Sequence, residues 1–249
     1  MWYTLCMDPL AQSLDFANHH ANATPADIKQ LCADVVKYGF HAAFVNPTYV
    51  TLAKELFANM PDANAKKTPV GTVISFPLGG DTKALKMAAT NNAVSQGADE
   101  LDVVPNIGLY LAGETNAFMT EMRDVVESAH MLSRPVIVKF ILDPGYFDKE
   151  PDPKANLMRA AEMVRAAGAD YVKIGSGMGP RNPTLEDLAA VKEAVGNSMR
   201  LKVAGGIVDR KTAEAFLAAG AHHLGTSHAI AIVTEKKVSS QKTSQKSEE

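Results

Sequence analysis

Residues 167–177 read Ala-Gly-Ala-Asp-Tyr-Val-Lys-Ile-Gly-Ser-Gly, and the recurrence of this phrase decides the fold. Gln96-Gly97-Ala98-Asp99 precedes ELDVVPN, Tyr38-Gly39-Phe40-His41 precedes AAFVNP, and Ala219-Gly220-Ala221-His222 precedes HLGTS. Each time an amphipathic helical pattern ends at a glycine, which suits a left-handed position just past a helix, and an apolar β-rich run follows. The four glycines stand 58, 71 and 52 residues apart. A strand–helix–strand crossover takes roughly 30 residues, so each interval holds two strand–helix units.

The remaining strands are short apolar runs bounded by Pro, Gly or charge: SLDFAN (13–18), PVGTVISFP (69–77), PVIVKFILD (135–143) and RLKVAGG (200–206). Thr24-Pro25-Ala26-Asp27 opens one helix with an N-cap residue and Pro at N1, and Thr184-Leu185-Glu186-Asp187 opens another. Eight strands, seven clear helices and a weaker eighth after Ser227 predict an α/β fold, a single-domain (β/α)8 TIM barrel over residues 1–235. The rival, a doubly wound open sheet, would carry a Gly-rich first strand–helix turn, and none is present. Residues 236–249 read as a disordered polar tail, since VSSQKTSQKSEE has one apolar residue in twelve.

Composition narrows the function classes. The 249 residues are 46% hydrophobic and 21% charged, which excludes a disordered or fibrous chain. A net charge of −3 argues against a protein that holds nucleic acid by neutralising phosphates. No run of 18 or more apolar residues predicts a membrane span, and MWYTLCMDPLAQS lacks the basic and apolar regions of a secretory signal. Cys6 and Cys32 share no metal or redox spacing and read as reduced thiols of a cytoplasmic protein.

Strands covered on both sides rarely carry charge. Asp102 in ELDVVPN, Lys139 in PVIVKFIL, Lys173 in DYVKIGSG and Lys202 in RLKVAGG therefore stand out, on predicted strands 4 to 7. A single such lysine could snorkel to the barrel mouth. Three lysines and a carboxylate on successive strands point instead to one inward-facing cluster. Crowded cations lower an amine's pKa, which yields a neutral nucleophilic lysine and suggests Schiff-base chemistry on a carbonyl, with the carboxylate as proton-transfer partner. Gly175-Ser176-Gly177, Gly205-Gly206 and Gly225-Thr226-Ser227 end strands 6, 7 and 8 and form a candidate phosphate or substrate site; single glycines there could equally just shape tight loops. The pairs His19-His20 and His222-His223 lack metal-ligand spacing and read as loop histidines, so no metal and no cofactor are expected.

Asp15, FVNPTYV (44–50), SFPLGGDTK (75–83), GADELDVVPNIG (97–108), VKFILDPGY (138–146), GADYVKIGSG (168–177) and LKVAGGI (201–207) together resemble the deoxyribose-phosphate aldolase family, in its order and spacing, from about residue 12 to about residue 230. The resemblance implies a metal-free class I aldolase that reversibly cleaves 2-deoxy-D-ribose 5-phosphate to D-glyceraldehyde 3-phosphate and acetaldehyde. It implies that Lys173 forms the Schiff base, that Asp102 and Lys202 move protons through a bound water, that Lys139 supports them, and that Asp15 lies near the substrate hydroxyls or the proton relay. A small sugar phosphate or aldehyde is the expected partner, and a homodimer or homotetramer the expected assembly.

The departures fall on the phosphate half. Ile174-Gly175-Ser176-Gly177 stands where the family usually reads Thr-Ser-Thr-Gly, and Gly225-Thr226-Ser227-His228 where it reads Gly-Thr-Ser-Ser. Ile207-Val208-Asp209 brings a carboxylate toward the expected phosphate loop, which predicts weak phosphate binding. Three alternatives stay open: a related Schiff-base aldolase for an unphosphorylated hydroxy-aldehyde or ketone, a barrel isomerase, and a non-catalytic sugar-phosphate-binding barrel.

Overall fold

The computed structural model describes residues 8–132 and 134–235, so Cys6 and the predicted tail at 236–249 lie outside the described residues. Eight parallel strands close into a barrel in sequence order. They are β1 (Leu14–Asn18), β2 (Ala42–Val45), β3 (Val70–Ile74), β4 (Glu100–Val103), β5 (Ile137–Leu142), β6 (Tyr171–Ile174), β7 (Arg200–Ala204) and β8 (His223–Thr226). The expected TIM barrel is what the chain forms. The helices are α1 (Pro25–Tyr38), α2 (Val50–Asn59), α3 (Lys83–Ser95), α4 (Ile107–Leu111), α5 (Thr115–His130), α6 (Pro153–Ala166), α7 (Leu185–Val195), α8 (Arg210–Ala219) and α9 (Ala229–Thr234). None of these is long and apolar enough to cross a membrane.

The repeated glycine does what its position requires. Gly39, Gly97, Gly168 and Gly220 all have positive φ, from 71° to 109°, where a side chain would be strained. At the opposite ends, Thr24 and Thr184 each accept from the third helical N–H while Asp27 and Asp187 reach back, so both expected helix starts are capping boxes. Among the described residues there is one α-helix more than the sequence predicts. The segment after β4 splits into α4 and α5 because Gly113, at φ 78°, breaks the chain after one turn.

Strand parity divides the interior into two environments. Leu101, Val103, Val138, Phe140, Leu142, Val172, Ile174, Leu201 and Val203 are buried in the hydrophobic core beneath the helices. Each such side chain contributes roughly 1.5–3 kcal/mol by leaving water. The alternate positions point into the barrel and are largely polar. Asp102 is opposite Lys139, Lys173 is opposite Lys202, and Lys202 is opposite His223 across neighbouring strands. The charged residues picked out in the sequence thus share the inward rows.

Candidate active site

At the floor of the barrel mouth the carboxylate of Asp102, fully buried, is shared by three lysines. Its Oδ2 is 2.8 Å from Lys173 Nζ and 2.8 Å from Lys202 Nζ, and its Oδ1 is 3.2 Å from Lys139 Nζ. Lys202 also pairs with Asp15 Oδ2 at 2.7 Å. Lys139 pairs with Glu100, which is likewise buried. Three carboxylates therefore face three lysines inside one barrel, a balance that buried charges require. Phe44 forms a wall beside them. Lys202 Nζ sits 3.5 Å from its ring centroid, and the ring lies against Gly71, where a Cβ would come within 2.3 Å of Phe44 Cζ.

These neighbours set the protonation states. Burial lowers the Lys173 pKa below its ordinary 10.5, and Lys202 and Lys139 push the same way against the opposing pull of Asp102. Desolvation is thus a larger cause than the cation crowding from which the neutral amine was expected. Burial would raise Asp102, but Lys173, Lys202 and Lys139 outweigh it and hold the carboxyl well below its ordinary range. Asp15 follows the same logic, with Lys202, His223 and His41 overcoming burial. For Lys139, Glu100, Asp102 and Asp15 outweigh burial and hold the ammonium charged.

Above this floor opens a cleft of about 230 Å³ at the carboxyl ends of the strands. Lys173, Lys202 and Asp102 line it, as do Ser176, Gly177, Gly205, Gly206, Gly225, Thr226 and Ser227. Three of the residues singled out in the sequence do not. Asp15 and Lys139 lie beneath the floor, which makes them partners of Lys202 and Asp102 with no face on the cleft. Gly175 packs under Ala204 and Pro183, and its N–H donates to Leu142 O at 2.8 Å. Its lack of a side chain serves packing.

The rim residues differ in what they can still bind. Among the described residues no group accepts from the N–H of Gly177, Gly205, Gly206 or Ser227. Ser176 N–H is already given to Asp143 at 2.7 Å, and Thr226 Oγ1 donates to Ile207 O at 2.7 Å. Gly225 makes room for the stem of Lys202, since a Cβ there would meet Lys202 Cε at 3.2 Å. Asp209 corrects an expectation. Its carboxylate accepts from Thr212 N–H at 2.7 Å as the N-cap of α8, so it is committed to the helix and is absent from the cleft lining. Arg210 beside it is tied to Asp8 at 2.6 Å and to Glu214 at 3.0 Å.

Several site residues escaped the sequence reading. His19, read as a loop histidine, lines the cleft with Phe44 and Phe76. His223, read the same way, is not a loop residue. It opens β8 facing inward, with its ring 4.0 Å from that of His41. His41 Nδ1 is 2.8 Å from Asp15 Oδ1, and the ligand atoms of Asp15, His41 and His223 lie within 4.8 Å of one another, a spacing a metal ion could use. Asp15 is already paired with Lys202 and His41, which leaves little free donor capacity there. The period-2 rows were the available signal for Glu100, in step with Asp102, and for His223, in step with Gly225, whereas His19 follows the last residue of β1.

Residues 6–230 match the model of a family described as DeoC/LacD family aldolases. A deoxyribose-phosphate aldolase of Thermococcus gammatolerans is 37% identical over 224 residues, covering 90% of this chain and 95% of the relative. One from a Geobacillus strain is 36% identical over 231 residues, 93% of this chain and 97% of its own. Among solved structures, a tetrameric deoxyribose phosphate aldolase from Aeropyrum pernix superposes with a TM-score of 0.79 at 28% identity, over 90% of this chain and 89% of that one.

Proposed function

The chain belongs to the DeoC/LacD family of aldolases, and from that premise we propose that it cleaves 2-deoxy-D-ribose 5-phosphate reversibly to D-glyceraldehyde 3-phosphate and acetaldehyde through a Schiff base on Lys173. The observation that carries this reading is the amine of Lys173, buried, depressed in pKa and within 2.8 Å of the Asp102 carboxylate at the floor of the cleft. A neutral amine attacks the substrate aldehyde carbon, and loss of water leaves an iminium. Removal of the proton from the β-hydroxyl then breaks the adjacent carbon–carbon bond, its electron pair flows to the iminium, and the departing fragment leaves as an aldehyde. The enamine that remains takes a proton at carbon, and hydrolysis frees acetaldehyde and Lys173. Asp102 and Lys202 move these protons through a water, a contribution of roughly 10²–10⁴-fold in rate. Lys139 and Asp15 hold Asp102 and Lys202 from below.

The free N–H groups of Gly177, Gly205, Gly206 and Ser227, around the ends of β6, β7 and β8, are the proposed phosphate cradle. Asp209 is turned to its helix, so its carboxylate does not enter this rim. Trapping with borohydride in the presence of acetaldehyde tests the chemistry. An adduct on the peptide containing Lys173, absent in Lys173→Ala, is expected; an adduct on Lys139 or Lys202 overturns the assignment.

One observation favours a second reading, an aldolase for an unphosphorylated hydroxy-aldehyde. The only lysines or arginines among the described cleft-lining residues are Lys173 and Lys202, and Met178 and Val208 expose apolar surface at the rim. Comparing kcat/KM for deoxyribose 5-phosphate and for deoxyribose separates the two. A homodimer or homotetramer in the cytoplasm is the proposed setting, supported by the tetrameric neighbour and checked by solution mass.

A further inference from the structure

His19 directly follows the last residue of β1, Asn18. Two residues beyond Ala17 and four beyond Asp15, it lines the cleft together with Lys173, Lys202 and Asp102. Its ring is held by two aromatic neighbours, Phe76 with centroids 5.4 Å apart and Phe44 edge-on at 6.5 Å. Its Nδ1 is buried and has no hydrogen-bond partner. A buried polar atom without a partner, in the wall of a substrate cleft, is a group for which the substrate itself can supply the missing bond.

The charges around the ring limit what it can do. Burial first and then Lys173, with a smaller push from Lys202, take the His19 pKa down to about 3 against the opposing charge of Asp102 and a side-chain hydrogen bond with Asn46. The imidazole is therefore neutral near pH 7. It cannot hold a phosphate as a cation, and carrying the reacting proton would require the imidazolium form that burial and the two lysines disfavour. What remains is a rigid, uncharged donor and acceptor.

The proposed substrate has a matching group. Its aldehyde carbon binds Lys173, its β-hydroxyl belongs to the proton relay, and its phosphate belongs to the glycine rim. One hydroxyl is left over, on the carbon next to the departing carbonyl. We propose that His19 is a specificity-determining residue that hydrogen-bonds this remaining hydroxyl, and so selects α-hydroxylated acceptor aldehydes over their deoxy counterparts. This inference rests on the aldolase reading above.

A site built to hydrogen-bond a hydroxyl discriminates strongly against the analogue that lacks it, because a buried polar group is then left unpaired. The test runs the reaction in the synthetic direction, with acetaldehyde and either D-glyceraldehyde 3-phosphate or 3-oxopropyl phosphate, which lacks only that hydroxyl. Wild type is expected to prefer the hydroxylated acceptor by about 10²-fold or more in kcat/KM. His19→Leu is expected to lose most of that preference by falling on the hydroxylated acceptor alone, and His19→Asn to recover part of it. Both variants should keep the wild-type borohydride adduct on Lys173. Equal loss on the two acceptors, or no loss on either, overturns the proposal while leaving the aldolase reading intact. A wild-type enzyme that forms no adduct and no product with either acceptor overturns both. Should His19→Leu fail to fold, His19→Asn carries the comparison, and an unchanged acceptor preference in it counts against the role.

Discussion

Lys173 feels opposing neighbours, and they make separable predictions about its titration. Lys202 is a cation that depresses its pKa, whereas Asp102 stabilises its ammonium form. The nucleophile is the free amine, so imine formation gains as pH rises through the folded pKa. Lys202→Met removes a depressing charge, raises that pKa and moves the rising limb to higher pH. Asp102→Asn removes the stabilising carboxylate and moves the limb to lower pH. Both lose roughly 10²–10⁴-fold in turnover as proton-transfer residues. The rate of reductive trapping against pH reads the limbs even where turnover is poor; shifts of the same sign in both variants would overturn this electrostatic account.

At the scale of elements, β2 and β3 meet through an aromatic ring lying where a side chain is missing. Phe44 and Gly71 are direct partners in the ladder, and a methyl group at Gly71 would come within 2.3 Å of the ring. The ring cannot simply retreat, because it is buried and carries Lys202 on its face. Gly71→Ala is expected to cost about 1–3 kcal/mol through overpacking. It should also lower turnover by displacing Lys202. Phe44→Leu added to Gly71→Ala should restore part of the stability, so urea midpoints of the single and double variants must be non-additive. Additive losses would mean that ring and backbone do not press on one another.

The same elements explain what the sequence disclosed. Strands and caps were legible because charge inside an apolar run and Thr-x-x-Asp before a helix are local signals. Glu100 was not, since it follows Asp99 and reads as the polar lead-in to a strand; only its even spacing from Asp102 marks it as inward. His19 lies past the end of its strand, where periodicity no longer speaks. Asp209 was misjudged because a carboxylate at the start of a helix has a capping use that competes with any effect on a ligand. The break that separates α4 from α5 depends on one glycine whose backbone conformation sequence does not fix.

The barrel as a whole stores charge in its interior, which ties its stability to pH. Asp15 and Asp102 sit below their ordinary 3.8 when folded. Above the unfolded value both are ionised in either state, and their stabilising effect is fully present. As pH falls below about 4 the unfolded chain binds protons that the folded chain refuses. Stability should then fall by about 1.4 kcal/mol per pH unit for each of the two carboxylates, until the folded values are reached. Urea midpoints measured from pH 6 to pH 2 check this, with a flat profile above pH 5 and a steep decline below pH 4. Asp15→Asn, which removes one of the titrating groups, should make the slope shallower by up to about 1.4 kcal/mol per pH unit.

The pairing of Lys139 with Glu100, away from the reacting atoms, bears on how such a protein changes over generations. Replacing Glu100 alone leaves Lys139 with only the shared Asp102 carboxylate, and replacing Lys139 alone strands Glu100 in the dry interior, a defect that reaches about 3–5 kcal/mol for a broken buried pair. Replacing both with apolar residues of similar volume relieves the defect, though Asp102 then relies on two lysines. The route between these two solutions passes through a poorly folding intermediate, so neutral drift seldom crosses it. A library that randomises the two positions together should recover folded combinations that stepwise selection misses, and the survivors should be charged at both positions or at neither.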